Sequence, residues 1–201
     1  MSTPDSKPTS RVVIGLAAGV LFILFWALGS GRILNTDDAI YAQMARESFQ
    51  AGEWFNFSWL GTVLYEKPPL LFWLLQCSGS VLGFDALAMQ LPAALGGLVA
   101  CIFLFKIARQ QHDSEPIAAV SVILLVSSFL FLWMSRRVMT DTLLMASSLA
   151  VLWFSFSLRN RPSYKSSVFL GCAGGLGVLA KSIALGPVLL GVLPFVLRRE
   201  L

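Results

Sequence analysis

The sequence predicts an all-α, polytopic helical membrane protein with about six transmembrane helices and two juxtamembrane helices in its first outer loop. Three observations carry that expectation. The chain is 56% hydrophobic and only 13% charged, against roughly 45–50% apolar and about 25% charged for a soluble domain. Its mean hydropathy is +0.74. Long apolar runs alternate with short charged clusters, the pattern of helices that cross hydrocarbon and satisfy their own backbone polar groups.

The apolar runs are Val12–Leu28, Pro69–Leu82, Leu87–Ala108, Pro116–Ser135, Thr142–Leu158, Ser166–Ala180 and Ile183–Leu197. Pro69–Leu82 is short beside the roughly 20 residues a span requires, and Gln76, Ser80 and Gly83 place a polar or small stripe next to Trp73. It reads as a helix lying in the membrane interface. Basic residues test this choice. With the run flat and Lys181 set aside, nine face the cytoplasm (Lys7, Arg11, Lys106, Arg109, Arg159, Arg161, Lys165, Arg198 and Arg199) and five face out. With it spanning, the split becomes four against ten, contrary to the positive-inside rule. Six spans follow, with the N-terminus cytoplasmic. Loop 32–86, the turn Arg136–Asp141 and the neighbourhood of Lys181 then share the outer face.

Net charge is +4, but the basic residues border apolar runs and form no Lys/Arg-rich tract, so nucleic acid is not an expected partner. Cys77, Cys101 and Cys172 lie in apolar sequence and read as packing residues. The lone His112 falls in a cytoplasmic turn, which removes His-based metal sites and Ser-His-Asp triads. Gly171 and Gly175 form a small-xxx-small pair that reads as close helix packing.

Loop 32–69 holds five of the chain's eleven acidic residues. Its first part reads as a surface helix. Asn35 is placed to cap it, Asp37 and Asp38 favour its dipole, Ile40, Met44 and Phe49 form an apolar edge, and Gly52 stops it. Adjacent carboxylates there suit a general base or a divalent cation, and equally an acidic cap exposed to water. Pro68 and Pro69 then open the interfacial helix. Lys67 sits at headgroup level, where it suits a lipid phosphate or ordinary snorkelling, and Glu66 suits a salt bridge or a metal. Arg136 and Arg137 depart from the positive-inside trend. Paired arginines grip phosphate in fork geometry or meet lipid headgroups, with Asp141 placed to orient one or to join the acids.

An ordered set of motifs resembles a known family: Thr36-Asp37-Asp38-Ala39-Ile40-Tyr41-Ala42, Ala45-Arg46-Glu47, Gly52-Glu53-Trp54, Tyr65-Glu66-Lys67-Pro68-Pro69-Leu70, Gln90-Leu91-Pro92-Ala93, Arg136-Arg137 with Asp141, and Leu179-Ala180-Lys181. The chain from about residue 12 onward is similar to the GT-C-type glycosyltransferases that use polyprenyl-phosphate sugars. Ser182 departs from the family's usual glycine.

The resemblance implies an N-terminal transmembrane module (1–201) whose first periplasmic loop (32–86) carries two interfacial helices. The implied reaction moves a sugar from an undecaprenyl-phosphate carrier to lipid A or a protein acceptor, at the outer face of the bacterial inner membrane. Asp37, Asp38 and Asp141 are the catalytic candidates. Lys67, Arg136, Arg137, Arg46 and Tyr65 are the donor and lipid-phosphate candidates, and Glu66 is the candidate ligand for a divalent metal. Family members continue through further spans, so the alternative is a noncatalytic or truncated homologue that binds polyprenyl phosphate or a partner subunit.

Overall fold

The computed structural model describes residues 10–30, 36–63 and 67–197. Nine helices appear among them: α1 (Ser10–Phe25), α2 (Thr36–Gln50), α3 (Leu70–Leu82), α4 (Ala86–His112), α5 (Glu115–Val126), α6 (Phe129–Met134), α7 (Asp141–Asn160), α8 (Tyr164–Lys181) and α9 (Gly186–Leu197). The only strands described, β1 (Ser58–Trp59) and β2 (Thr62–Val63), form a short antiparallel hairpin. The fold class is the helical membrane bundle that composition predicts. By length and composition Ala86–His112, Asp141–Asn160 and the stretch Tyr164–Leu193 suffice to cross a membrane.

The last stretch is not one rod. Its backbone breaks at Lys181 and Ser182, a short 3₁₀ turn covers Ser182–Leu185, and the chain reverses. Val192 of α9 therefore packs in one cluster with Ala173 of α8 and with Ala150 and Val151 of α7. The expected run Pro116–Ser135 is also interrupted. Ser127 donates its hydroxyl to the Leu124 carbonyl, and Ser127 and Ser128 close the turn through Ile123 and Leu125. Serines that bond back to nearby backbone compete with the helical ladder, so the run is divided into α5 and α6.

α4 and α7 are the central pair and run parallel, with Thr142 against Ala93 at one end and Phe103 against Trp153 and Phe154 further along. Gly96 permits the contact, while Gly97 lets α4 approach Ser135 and Phe131 of the α6 segment. A Cβ on Gly96 would lie 3.1 Å from the Leu143 amide nitrogen and from Thr142 Oγ1. Pro92, inside α4, cannot bond the Ala88 carbonyl. Ser78 of α3 donates to that carbonyl instead and ties α3 to α4. The expected close-packing glycines differ: a Cβ on Gly171 or Gly175 meets nothing within 4 Å, whereas one on Gly177 would strike Leu185 at 2.7 Å.

α2 ends as its sequence dictates. Gly52 adopts φ +72°, while Glu53 N–H bonds Ser48 O and Gly52 N–H bonds Phe49 O. This is the paired C-terminal motif that glycine's left-handed backbone permits. One core cluster joins Met44 and Ala45 of α2, Phe57 of the loop, Leu71, Phe72 and Leu75 of α3, Met89 of α4 and Val138 before α7. The two loop helices are thereby fixed to the bundle end that carries the 135–141 turn and Lys181.

These close approaches set an expectation. Gly96→Leu forces α4 from α7 and costs about 1–3 kcal/mol or more, whereas Gly171→Leu leaves stability unchanged or higher. Thermal melting in detergent micelles compares the two, and equal melting would contradict the assignment of the contact to Gly96.

Candidate functional site

The polar side chains at this bundle end sort into separate partnerships. Asp38 and Asp37 are sequence neighbours on different faces of α2. Asp38 shares its face with Ala45 and points inward, 5% exposed, while Asp37 is exposed one turn before Tyr41. Asp38 receives a forked contact from Arg137, with Nε to Oδ2 at 2.9 Å and Nη2 to Oδ1 at 3.0 Å. The Arg137 guanidinium also stacks 4.5 Å from the Trp133 ring.

Arg136 turns the other way. Its Nη2 donates to the Ile23 carbonyl at 2.7 Å, near the C-terminus of α1 where carbonyls lack helical partners. Its Nε is buried without an acceptor among the described residues. The tandem arginines therefore bind the turn after α6 to α1 and to α2.

Between α2, the start of α3 and the turn after α8 lies a cavity of about 330 Å³, lined by Tyr41, Lys67, Phe72, Thr140, Lys181 and Ser182 among others. Lys67 Nζ stands 5.5 Å above the Tyr41 ring. Tyr41 in turn meets Phe72 edge-on at 5.8 Å, and Phe72 stacks on Phe57 at 4.4 Å. This aromatic column holds an exposed ammonium group at the mouth. On the opposite wall Lys181 Nζ bonds Asp141 Oδ1 at 2.9 Å, with side chains 46% and 36% exposed. Ser182 beside it has φ +35°, a strained backbone for a residue with a Cβ.

The cavity thus offers two ammonium groups, one partly balanced by a carboxylate, with the Thr140 and Ser182 residues beside them. That arrangement suits a compact anion such as a phosphate. Lys181, Tyr41, Thr140 and Ser182 are cavity residues that the sequence reading did not assign. The one signal for Lys181 was a charge isolated between two apolar runs.

Arg46 lies exposed on α2, while Tyr65, Glu66 and the expected cap Asn35 fall outside the described residues. Among the described residues no group of three His, Cys, Asp or Glu side chains is placed to hold a metal ion. The loop 53–57 rests on α3 through Trp73 Nε1 donating to Trp54 O at 2.6 Å and Gln76 Nε2 donating to Glu53 O at 3.1 Å. Of the polar stripe expected along this helix, Gln76 therefore serves the loop and is fully buried, whereas Ser80 and Gly83 stay exposed.

Fold and site together define a helical membrane protein whose first loop builds an anion-suited cavity at one bundle end. Residues 66–199 match the family model described as dolichyl-phosphate-mannose-protein mannosyltransferase, and the chain belongs to that family. It is 28% identical over 188 residues to the undecaprenyl phosphate-alpha-4-amino-4-deoxy-L-arabinose arabinosyl transferase of Edwardsiella ictaluri, covering 90% of this chain and 34% of that protein. A transferase of the same description from Pseudomonas fluorescens is 26% identical over 201 residues, covering 96% and 35%. The crystal structure of ArnT from Cupriavidus metallidurans in the apo state superposes with a TM-score of 0.80 at 24% identity, covering 92% of this chain and 36% of that one. The same protein bound to undecaprenyl phosphate gives 0.78 at 23%. The chain spans about a third of the length of the curated relatives it matches.

The contact between loop and α3 has a measurable weight. Trp73→Phe removes one hydrogen bond, worth about 1 kcal/mol, and amides from Glu53 to Phe57 then exchange hydrogen about fivefold faster. Unchanged exchange would show that the loop is held by other contacts.

Proposed function

We propose that this chain supplies the donor-phosphate site of a membrane glycosyltransferase that moves a sugar from a polyprenyl-phosphate carrier to a lipid or protein acceptor. The observation that carries the proposal is the cavity with Lys67 on one wall and the Lys181–Asp141 pair on the other. As the bond from the anomeric carbon to the phosphate oxygen breaks, negative charge grows on the departing phosphate. Two fixed ammonium groups stabilise that charge more than they stabilise the intact diester. Asp141 holds Lys181 in place, and Tyr41 fixes the approach of Lys67.

Asp37, exposed one turn before Tyr41, is the general base of this reading. It takes the acceptor hydroxyl's proton as that oxygen bonds to the anomeric carbon. The products are the glycosylated acceptor and free polyprenyl phosphate. Arg46, Tyr65 and Glu66 complete the proposed site, with Tyr65 and Glu66 adjoining Lys67 in sequence and Glu66 the residue for a divalent cation.

The relatives' names support undecaprenyl phosphate as carrier and an aminoarabinose-type sugar as cargo. Orientation follows the charge: the bundle end away from the cavity carries Lys106, Arg109, Arg159, Arg161 and Lys165. We therefore assign the N-terminus to the cytoplasm and the cavity to the periplasmic side of a bacterial inner membrane. A second reading, a carrier-binding chain that works with a partner subunit, is favoured by Asp37 lying outside the residues that line the cavity. It predicts the same binding without transfer.

Binding of undecaprenyl phosphate in nanodiscs and sugar transfer in membranes separate these roles. Lys67→Met and Lys181→Met each weaken binding about tenfold, or roughly 1.4 kcal/mol. Asp37→Asn leaves binding unchanged and slows transfer about 10²–10⁴-fold. Equal binding and equal transfer by all variants and the wild type would refute the proposal, and binding without transfer by the wild type would select the second reading.

A further inference from the structure

We infer that Asp38 and Arg137 are a positioning pair that sets the spacing between the two walls of the Lys67–Lys181 cavity and touches neither donor nor acceptor. The pair sits where the two walls begin. Asp38 lies three residues before Tyr41, which holds Lys67 on one wall. Arg137 lies three residues before Thr140 and four before Asp141, which line and brace the other. The pair joins chain segments 99 residues apart. Each wall therefore hangs, within four residues of chain, from one side of a single ion pair.

The pair is also fully engaged and enclosed. Arg137 Nε and Nη2 reach both Asp38 oxygens at 2.9–3.2 Å, and the side chains are 7% and 8% exposed. Trp133 covers the guanidinium face at 4.5 Å, and Val138, adjacent in sequence, is buried in the cluster that also holds Met44 and Ala45 of α2. The pair is absent from the cavity lining. A buried pair of this kind contributes little net stability over an apolar pair of similar volume, because desolvation offsets the attraction. What an apolar pair lacks is direction. A planar fork on a carboxylate fixes both distance and angle, and lysine cannot replace it.

The inference rests on the phosphate reading only for its functional consequence, so the test reads geometry and binding separately. The full chain, with Cys77→Ser, Cys101→Ala and Cys172→Ser, is spin-labelled at Ala39→Cys on α2 and Ile183→Cys on the opposite wall, both exposed positions. Dipolar distance distributions and undecaprenyl phosphate affinity are measured in nanodiscs for three backgrounds: native pair, Arg137→Lys, and Asp38→Leu with Arg137→Met. The double variant keeps the site apolar and filled, so it folds even where a single removal would strand a buried charge.

We expect both variants to broaden the distance distribution and to weaken binding about tenfold, with the double variant's melting temperature at or above the native value. Broadening with unchanged affinity would support the positioning pair and overturn the phosphate reading. An unchanged distribution overturns the positioning pair. If that unchanged distribution comes with lost affinity, the pair contacts the ligand directly.

Discussion

The Arg137–Asp38 ion pair is the constraint on which the polar end of this molecule depends. Helix packing alone leaves the first loop and the turn after α6 free to slide over one another, because apolar contacts carry no direction. A forked contact buried under Trp133 removes that freedom at one point. With it fixed, Tyr41, Thr140, Lys67 and Lys181 line one cavity. Arg136 extends the same logic to α1, where it closes an unpaired carbonyl near the helix end. Two adjacent arginines thus anchor one turn in two directions.

The bundle beneath supplies rigidity by different physics. Gly96 lets α4 and α7 approach until backbone and side chain touch, and Gly97 does the same for α4 and Ser135, which substitutes van der Waals contact for a hydrophobic force that lipid cannot provide. Pro92 opens a carbonyl that Ser78 then closes, so a helix defect becomes the tie that holds α3. α3 carries the loop through Trp73 and Gln76, and the loop's Phe57 stacks under Phe72. An unbroken series of contacts runs from the membrane-crossing pair to the Lys67 ammonium group.

Much of this was legible in the sequence because it depends on local chemistry. The limits of α2 followed from two acidic residues and a glycine, and α3 from two prolines and a short apolar run. Charge asymmetry brought loop 32–86, Asp141 and Lys181 to one end. What stayed hidden depends on tertiary choices between equal neighbours. Nothing local tells Asp37 from Asp38 or Arg136 from Arg137, yet helix phase buries one aspartate and partner availability sends the arginines apart. The break at Ser127 and Ser128 hid inside an apolar run. The hairpin at 58–63, turned on Leu60 and Gly61 with φ of +51° and +78°, lacked the Asn-Gly or Asp-Gly signal of such turns. Lys181 was visible as a charge, but its partner lies forty residues earlier.

The central claim is that the two walls close on the phosphate of a polyprenyl carrier. Its most direct test is an experimental structure of the chain with undecaprenyl phosphate bound. The account predicts phosphate oxygens about 2.7–2.9 Å from the ammonium nitrogens of Lys67 and Lys181, with Asp38 and Arg137 still paired beneath them. A phosphate held by Arg136 or Arg137, with the cavity empty, would contradict it.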